Sequence, residues 1–162
     1  MPIALVRIDD RLIHGQTVEA WIPQLKASEV AVVSDAAAED ETQSLLMKIA
    51  LPEGVALKVL RVAEAAEYLS SCGAKAQRVL VLAPGPQQVL ELLGRGLRFD
   101  SVNVGGMHYS AGKVQLGKAI FLSEEDRSAL VEIGRRGVRL EGRAVPGEPE
   151  ADVLKLIGEV LR

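Results

Sequence analysis

Six short, mostly apolar runs, separated by helix-like segments, restrict the fold of this 162-residue chain more than any other feature. The runs cover residues 3–8, 30–33, 56–60, 79–83, 101–104 and 138–145. Nearly continuous apolar runs are typical of strands buried on both faces of a parallel sheet, and helices between parallel strands give right-handed βαβ crossovers. The sequence therefore predicts an α/β fold: a three-layer α/β/α sandwich with a mainly parallel sheet of about six strands, in a single domain over residues 1–162.

Two of the helical segments carry patterns that predict which side faces the core. In the segment after the first strand, apolar residues at i, i+3, i+4 and i+7 form one stripe: Val18, Trp21, Ile22 and Leu25. This spacing places them on one helix face, so Trp21 is predicted to be a core residue. In the helix expected over residues 40–50, we expect the large apolar side chains to point inward: Leu45, Leu46 and Ile49.

Charged residues and a histidine follow the first apolar run directly, in the string RIDDRLIHGQ over residues 7–16. A neutral imidazole with a pKa of about 6.5 is a capable nucleophile, so His14 could form a covalent intermediate. If a helix begins at Gly15 or Gln16, its unpaired backbone N–H groups and its dipole would favour an anion such as a phosphoryl group on that imidazole. The chemistry indicated is phosphoryl transfer through histidine.

The charged neighbours of His14 fit that chemistry. Arg11 could clamp phosphoryl oxygens with its planar fork of donors, while Asp9 or Asp10 could hold the arginine or fix the histidine tautomer. The residue types alone nevertheless favour a solvated loop with local ion pairs, because short charged clusters are common in loops.

Polar residues and glycines also follow two later strands. Asp35 comes after the second strand, where it could reach the His14 site at the carboxyl edge of the sheet or serve as a loop or helix-capping carboxylate. Gly105 and Gly106 follow the fifth strand and would allow the backbone to approach a ligand or a neighbouring loop closely. His108 is interpreted as a surface or partner-facing histidine rather than a catalytic one.

The string RIDDRLIHGQ resembles the amino-terminal signature of the IIB subunits of the mannose/fructose/sorbose family of the bacterial phosphoenolpyruvate-dependent sugar phosphotransferase system. Further segments resemble family landmarks and follow in family order: VVSD at 32–35, ETQSLLMKIALPEGV at 41–55, NVGGMHYSAGK at 103–113, FLSEED at 121–126 and RAVP at 143–146. The resemblance covers essentially the whole chain. It implies the α/β/α architecture, a phosphoryl group on His14, and a glycine loop beside the phosphorylation loop, although the family pattern does not lead us to expect a histidine at position 108.

The resemblance also implies partners. A IIA domain or subunit donates the phosphoryl group from its own histidine, and the group passes from His14 to a sugar during uptake through membrane IIC and IID subunits. No metal or other cofactor is called for, because such a transfer mainly requires positioning and charge compensation. Arg11 would supply charge, the Gly15 and Gln16 amides would supply donors, and Asp9 or Asp10 would orient the ring.

Two alternatives stay open at this point, a regulatory phosphoprotein of an incomplete phosphotransferase system and a non-catalytic α/β ligand-binding domain. The sugar, the oligomeric state (including a homo-oligomer) and whether IIA is a separate chain stay open as well.

Composition narrows the function classes. A net charge of −3 without a long basic tract argues against nucleic-acid binding. No apolar stretch approaches the ~20 residues of a membrane helix, and the amino terminus does not resemble a signal peptide, so we expect a cytoplasmic protein. The single cysteine, Cys72, permits no internal disulfide and is interpreted as a small packing residue. Two histidines and one cysteine argue against a structural zinc site.

Overall fold

The apolar runs form the strands of one sheet. The computed structural model of the chain describes residues 3–71 and 78–160, so Cys72 lies outside the described residues. Within them, one sheet has seven strands: β1 (Ile3–Asp9), β2 (Glu29–Val33), β3 (Ala56–Leu60), β4 (Val79–Ala83), β5 (Ser101–Gly106), β8 (Arg139–Gly142) and β9 (Ala151–Asp152). Their order across the sheet is β3-β2-β4-β1-β5-β8-β9.

The sheet is mainly parallel, as predicted. All six predicted strands are present and pair in parallel, and the short β9 adds an antiparallel edge against β8. The last predicted strand ends earlier than residue 145, because Arg143 and Ala144 leave the sheet and their carbonyls accept hydrogen bonds from a side chain on β1. Residues 113–122 form a separate antiparallel pair, β6 (Val114–Leu116) and β7 (Ile120–Leu122).

Helices cover both faces of the sheet, which confirms the three-layer architecture. One face carries α4 (Val62–Ser71), α5 (Pro86–Gly94), α6 (Glu124–Arg135) and α7 (Val153–Val160). The other carries a π-helical turn (Thr17–Trp21) that continues into α1 (Ile22–Leu25), then α2 (Asp35–Ala38) and α3 (Glu41–Ala50). Alternate residues of β4 belong to the two cores: Val79 and Val81 face the first set of helices, and Leu80 and Leu82 face the second.

The predicted inner face of α3 is wrong. Leu45, Leu46 and Ile49 are 58%, 61% and 71% exposed, whereas Met47 is buried. At 100° per residue, Met47 shares its side of the helix with Ser44 and lies opposite Leu45 and Ile49. The Ser44 hydroxyl donates to the Ala37 carbonyl of α2, which fixes this rotation of the helix.

The prediction for the first helical segment holds better. Trp21 and Ile22 are buried in the second core, while Val18 and Leu25 are half-buried. No helix among the described residues is long and apolar enough to cross a membrane.

Candidate functional site

The loop after β1 turns sharply and leads into a helical turn. The Leu12 N–H donates to the Asp9 carbonyl (3.0 Å), and Leu12 adopts a left-handed backbone with φ of 58°. Such a backbone is costly for a residue with a side chain, and here the buried Leu12 side chain anchors it in the second core. Residues 15 and 16 are already helical, and the first intrahelical bond runs from Val18 N–H to the His14 carbonyl (3.0 Å).

His14 is held by the carboxylate of Asp9. Its Nε2 lies 2.8 Å from Asp9 Oδ2, and Asp9 is completely buried. An ionised carboxylate only accepts hydrogen bonds, so Nε2 of the neutral ring carries the proton and Nδ1 keeps the lone pair. The two predicted roles of an orienting aspartate, fixing the tautomer and holding the arginine, both fall on Asp9.

Arg11 lies at the rim of the same carboxylate. Its backbone N–H donates to Asp9 Oδ1 (3.1 Å), its Nε lies 3.5 Å from that oxygen, and its Nη2 donates to Gln16 Oε1 (3.1 Å). The Arg11 side chain is 43% exposed. A cation that is tethered and still open to solvent can compensate the charge of an arriving anion.

A buried arginine on β1 balances the charge of Asp9. Arg7 is completely buried, and its Nη2 donates to Asp9 Oδ2 (3.0 Å). A buried carboxylate is costly without a partner, so Arg7 permits Asp9 to sit beneath His14 as an anion. Burial lowers the pKa of the Arg7 guanidinium from its ordinary value, and the adjacent Asp9 opposes that effect.

Arg7 connects the site to distant parts of the chain. Its Nη1 donates to Asn103 Oδ1 and to the Arg143 carbonyl (3.0 Å), and its Nη2 donates to the Ala144 carbonyl (3.0 Å). The guanidinium also lies 4.9 Å from the centre of the Trp21 ring, whose Nε1 donates to the same Ala144 carbonyl (2.9 Å). Trp21 is therefore a core residue, as predicted, and its ring also packs against the Arg7 guanidinium.

The network continues beyond Asn103. The Asn103 Nδ2 donates to Glu141 Oε1 (3.0 Å), and Glu141 accepts two hydrogen bonds from the Arg143 guanidinium, at 2.9 and 3.0 Å. Those bonds raise the pKa of Arg143. Because Glu141 only accepts, the Asn103 amide is fixed with its oxygen toward Arg7.

The paired glycines make room for the two buried charges. A Cβ on Gly105 would lie 2.1 Å from Arg7 Cζ, and a Cβ on Gly106 would lie 3.1 Å from Asp9 Oδ1. The family resemblance implied that this loop lies beside the phosphorylation loop, and the paired glycines indicated that the backbone could approach a ligand or a neighbouring loop closely. The structure shows that the groups approaching them are the side chains of Arg7 and Asp9.

Asp10 points away from His14 and contacts the second histidine. Its Oδ1 pairs with His108 Nδ1, and its Oδ2 accepts from the His108 backbone N–H (2.7 Å). His108 is half-exposed, in keeping with its interpretation as a surface histidine. Asp10 therefore neither holds Arg11 nor orients His14 in this structure.

Asp35 lies at the same edge of the sheet without a hydrogen bond to this network among the described residues. Its Oδ1 accepts from the Val62 N–H (2.9 Å), at the start of α4. Of the two roles considered for Asp35, the structure shows the helix-capping one.

The start of the helix offers free donors next to His14. Because the first intrahelical bond begins at Val18, the N–H groups of Gly15 and Gln16 have no partner within the helix. A Cβ on Gly15 would meet no atom within 4 Å, so the space beside the Gly15 Cα is open. A helix start and a guanidinium are both groups that favour an anion, and this loop carries both within residues 11–16.

Among residues 3–71 and 78–160, no three His, Cys, Asp or Glu side chains converge in a way that could hold a metal ion. The main residues that sequence reasoning missed are Arg7, Asn103 and Glu141. The one signal for Arg7 was an arginine inside an otherwise apolar strand, since such a residue needs a buried counter-ion.

The chain matches the family described as PTS system sorbose subfamily IIB component over residues 3–161. It is 34% identical over 160 residues to the sorbose-specific EIIB component of Lacticaseibacillus casei, covering 99% of this chain and 98% of that protein. It is 36% identical over 160 residues to the mannose-specific EIIAB component of Escherichia coli K12, covering 99% of this chain and 50% of that longer protein.

A solved structure gives the same result. The IIB domain of the sorbose permease from Klebsiella pneumoniae superimposes with a TM-score of 0.92 at 33% identity, covering 98% of both chains. The likeness extends over the described strands and helices rather than over the motif alone.

Proposed function

The chain belongs to the sorbose-subfamily IIB components of the phosphotransferase system, and on this basis we propose that Nδ1 of His14 accepts the phosphoryl group and passes it on. Members of this family are phosphotransferase components of sugar uptake, and so is this chain. The observation that carries the assignment to His14 is the 2.8 Å contact between His14 Nε2 and the buried Asp9 carboxylate, while Nδ1 has no hydrogen-bond partner among residues 3–71 and 78–160.

The transfer balances without a metal. The Nδ1 lone pair attacks phosphorus, a P–N bond to His14 forms, and the P–N bond to the donor histidine breaks. The ring of His14 then carries a positive charge and keeps its Nε2 proton, which it donates to Asp9, and the buried Asp9 carboxylate stabilises that charge. When a sugar hydroxyl attacks phosphorus in turn, the P–N bond breaks and the hydroxyl proton leaves to solvent, so His14 returns to its neutral tautomer.

Arg11 and the helix amides act on the phosphoryl group itself. Phosphoryl transfer spreads charge over the equatorial oxygens, so catalysis consists mostly of positioning and electrostatic stabilisation. Arg11 supplies a partly exposed cation, the N–H groups of Gly15 and Gln16 supply fixed donors, and Asp9 fixes the nucleophile. Arg7 contributes indirectly by keeping Asp9 charged in the interior.

The donor in this proposal is a IIA domain or subunit, and the sugar is presented by membrane IIC and IID subunits while this chain works in the cytoplasm. The name of the EIIAB relative supports a IIA partner. The partner must reach Nδ1 of His14, so we propose that the glycine loop over residues 105–108 lines its docking surface. The two alternatives, a regulatory phosphoprotein and a non-catalytic binding domain, have no support from the comparisons.

The test is phosphorylation with phosphoenolpyruvate, the general phosphotransferase proteins and a IIA protein. Mass analysis should show one added phosphoryl group, and phosphorus NMR should identify the Nδ1 isomer of phosphohistidine. A label on Nε2 of His14 would contradict the role given to Asp9, and a protein that accepts no phosphoryl group would contradict the proposal as a whole.

A further inference from the structure

The outer side of α3 carries an apolar face that nothing covers among the described residues. Five large apolar side chains are exposed in this part of the chain, and three of them lie on α3: Leu45, Leu46 and Ile49. At 100° per residue these three project within about 100° of one another around the helix axis, with Thr42 between them. These four residues form the α3 face. A contiguous apolar group of this kind, unlike a single exposed leucine, is typical of an interaction site.

The packing of α3 fixes this face toward solvent. The helix is anchored from its other side, by the buried Met47 and by the Ser44 hydroxyl, which donates to the Ala37 carbonyl (3.2 Å). The Asp40 carboxylate caps the first turn, where it accepts from the Gln43 N–H (3.0 Å). The apolar residues of the α3 face are therefore not needed to hold the helix on the sheet.

Two charged residues flank the α3 face on the same side, one at each end of the helix. Glu41 lies in the first turn and Lys48 in the last. Seven positions at 100° each leave them only about 20° apart around the axis. Both side chains are exposed, and neither has a hydrogen-bond or ion-pair partner in the part of the chain that the structure describes. On α6, by contrast, Glu124 and Glu132 pair with arginines of their own helix.

This pattern is complementary to a second copy of itself. When two identical helices pack antiparallel about a two-fold axis, the same flank of each helix meets, and the first turn of one lies beside the last turn of the other. Glu41 of each copy would then lie beside Lys48 of the second copy, and the two helix dipoles would run in opposite directions. In a parallel pair this flank would face the opposite flank, where Ala50 lies, and both charges would stay unpaired.

We propose that the α3 face is a self-association surface, on which a second copy of this chain packs its own α3 antiparallel. The two-fold axis would pass close to Leu45, midway between Glu41 and Lys48, so the apolar side chains would meet at the centre and two ion pairs would close one flank. With one charge of each sign, the surface favours neither a basic nor an acidic partner. The proposal goes beyond the phosphoryl chemistry and does not depend on it, because His14 contributes nothing to this surface.

The size of the α3 face limits the strength of this association. A helix of 10 residues is about 15 Å long, so pairing through α3 alone buries less than the ~1,200 Å² that standard stable interfaces require. We therefore expect a reversible dimer with a dissociation constant of about 0.1–1 mM.

The experiment follows the unphosphorylated full chain over a concentration range of about 10 μM to 1 mM, by sedimentation and by amide-shift NMR. The average mass should rise with concentration, and the amides of residues 41–50 should shift along with it. A protein that stays monomeric at the highest concentration, or shifts confined to other elements, would overturn the proposal. Shifts of these amides that appear only on addition of a IIA protein or of IIC and IID membranes would also overturn it, because they would assign the α3 face to that partner.

An apolar variant tests the centre of the surface. Ile49→Asp should weaken dimerisation at least about tenfold, because it places a charge in the apolar contact. Val114→Asp, at an exposed apolar residue on β6, is the matched control and should dimerise like the parent. Circular dichroism checks that both variants keep the fold. Equal effects at the two positions would contradict a surface centred on α3.

Charge reversal tests the antiparallel arrangement. Lys48→Glu turns two attractive contacts into two repulsive ones and should weaken dimerisation about tenfold at low salt. The double variant Glu41→Lys/Lys48→Glu restores opposite charges and should recover most of the loss. Lys118→Glu makes the same change in net charge at an exposed lysine outside α3 and is the control. A double variant as weak as the single one would refute the Glu41–Lys48 pairs. All of these variants should still accept a phosphoryl group, so a failure of the dimer and a failure of the His14 assignment give different results.

Discussion

Two neighbouring aspartates each hold a histidine, but the two pairs are built differently. Asp9 is buried, bonds His14 through Nε2 and has Arg7 as a buried counter-ion. Asp10 is partly exposed, bonds His108 through Nδ1 and the backbone N–H, and has no arginine partner among the described residues. An Asp–His contact alone therefore does not single out the proposed phosphoryl site; a buried arginine and a helix that begins beside the histidine distinguish the first pair.

The largest expected difference between the pairs is in phosphoryl acceptance. His14→Asn should abolish it, because Asn offers no nucleophilic nitrogen, while the free energy of unfolding should fall by about 1–3 kcal/mol because the buried Asp9 loses a hydrogen bond. His108→Asn is the matched control and should accept one phosphoryl group per chain. Mass analysis of digested, phosphorylated protein checks both, and a label found on His108 would refute the distinction.

A substitution of Arg7 would remove the buried counter-ion of Asp9 in the Asp9–His14 pair. Arg7→Met leaves Asp9 as an uncompensated buried charge, so the free energy of unfolding should fall by about 3–5 kcal/mol. Chemical denaturation measures this. Arg135→Met, at a largely exposed arginine, should change stability by no more than about 0.5 kcal/mol. Equal effects at the two positions would mean that Arg7 is not the counter-ion that Asp9 requires.

The contact between Arg7 and Asp9 can also be disturbed from the neighbouring strand β5, at Gly105. Gly105→Ala would place a methyl group within the Arg7 guanidinium, so we expect a loss of about 1–3 kcal/mol as the side chains are forced apart. Gly15→Ala meets open space and should leave stability nearly unchanged. Thermal or chemical unfolding of the two alanine variants side by side tests the difference, and similar losses would argue against a steric role for Gly105.

A substitution of Arg11 can distinguish the contribution of its positive charge from that of its planar guanidinium geometry. Arg11→Lys keeps the cation and loses the planar fork, so transition-state stabilisation should fall by about 1–3 kcal/mol with little change in folding. Rapid-quench measurement of phosphoryl transfer from IIA gives the rate. Arg127→Lys, in a surface ion pair with Glu124, provides the control. An unchanged transfer rate in the Arg11 variant would remove this residue from the site.

Asp10 should give the smallest effect. Asp10→Asn removes a carboxylate that contacts only His108 within the described network, so His14 should still accept its phosphoryl group at a similar rate. Asp9→Asn is the informative partner variant, because it alters the orienting group of His14 and should slow acceptance. If the two variants were equally slow, the division of labour between the aspartates would be incorrect.

The sequence alone was enough to predict those parts of the structure whose residues lie close together in the chain. Apolar runs such as residues 79–83 identified the strands, since burial on both faces leaves little room for polar residues. Asp9, Arg11 and His14 could be grouped because one short loop carries all of them.

Contacts between distant segments could not be predicted in this way. Asn103 meets Arg7 across 96 residues and the Arg143 carbonyl meets it across 136, so no local pattern reveals the pairing. The error at α3 has a different cause. Apolar residues lie on both sides of that helix, and periodicity alone favoured the larger group over the side with Met47, which packs inward.

The contact between Arg7 and Gly105 makes the order of mutations matter over evolutionary time. While the arginine is present, position 105 is closed to every residue larger than glycine, and a lineage that substitutes it first must pass through a destabilised protein. A lineage that first replaces Arg7 by a smaller residue frees position 105, but it then loses the charge partner of Asp9. The two positions, on neighbouring strands and far apart in the chain, are therefore expected to vary together or not at all.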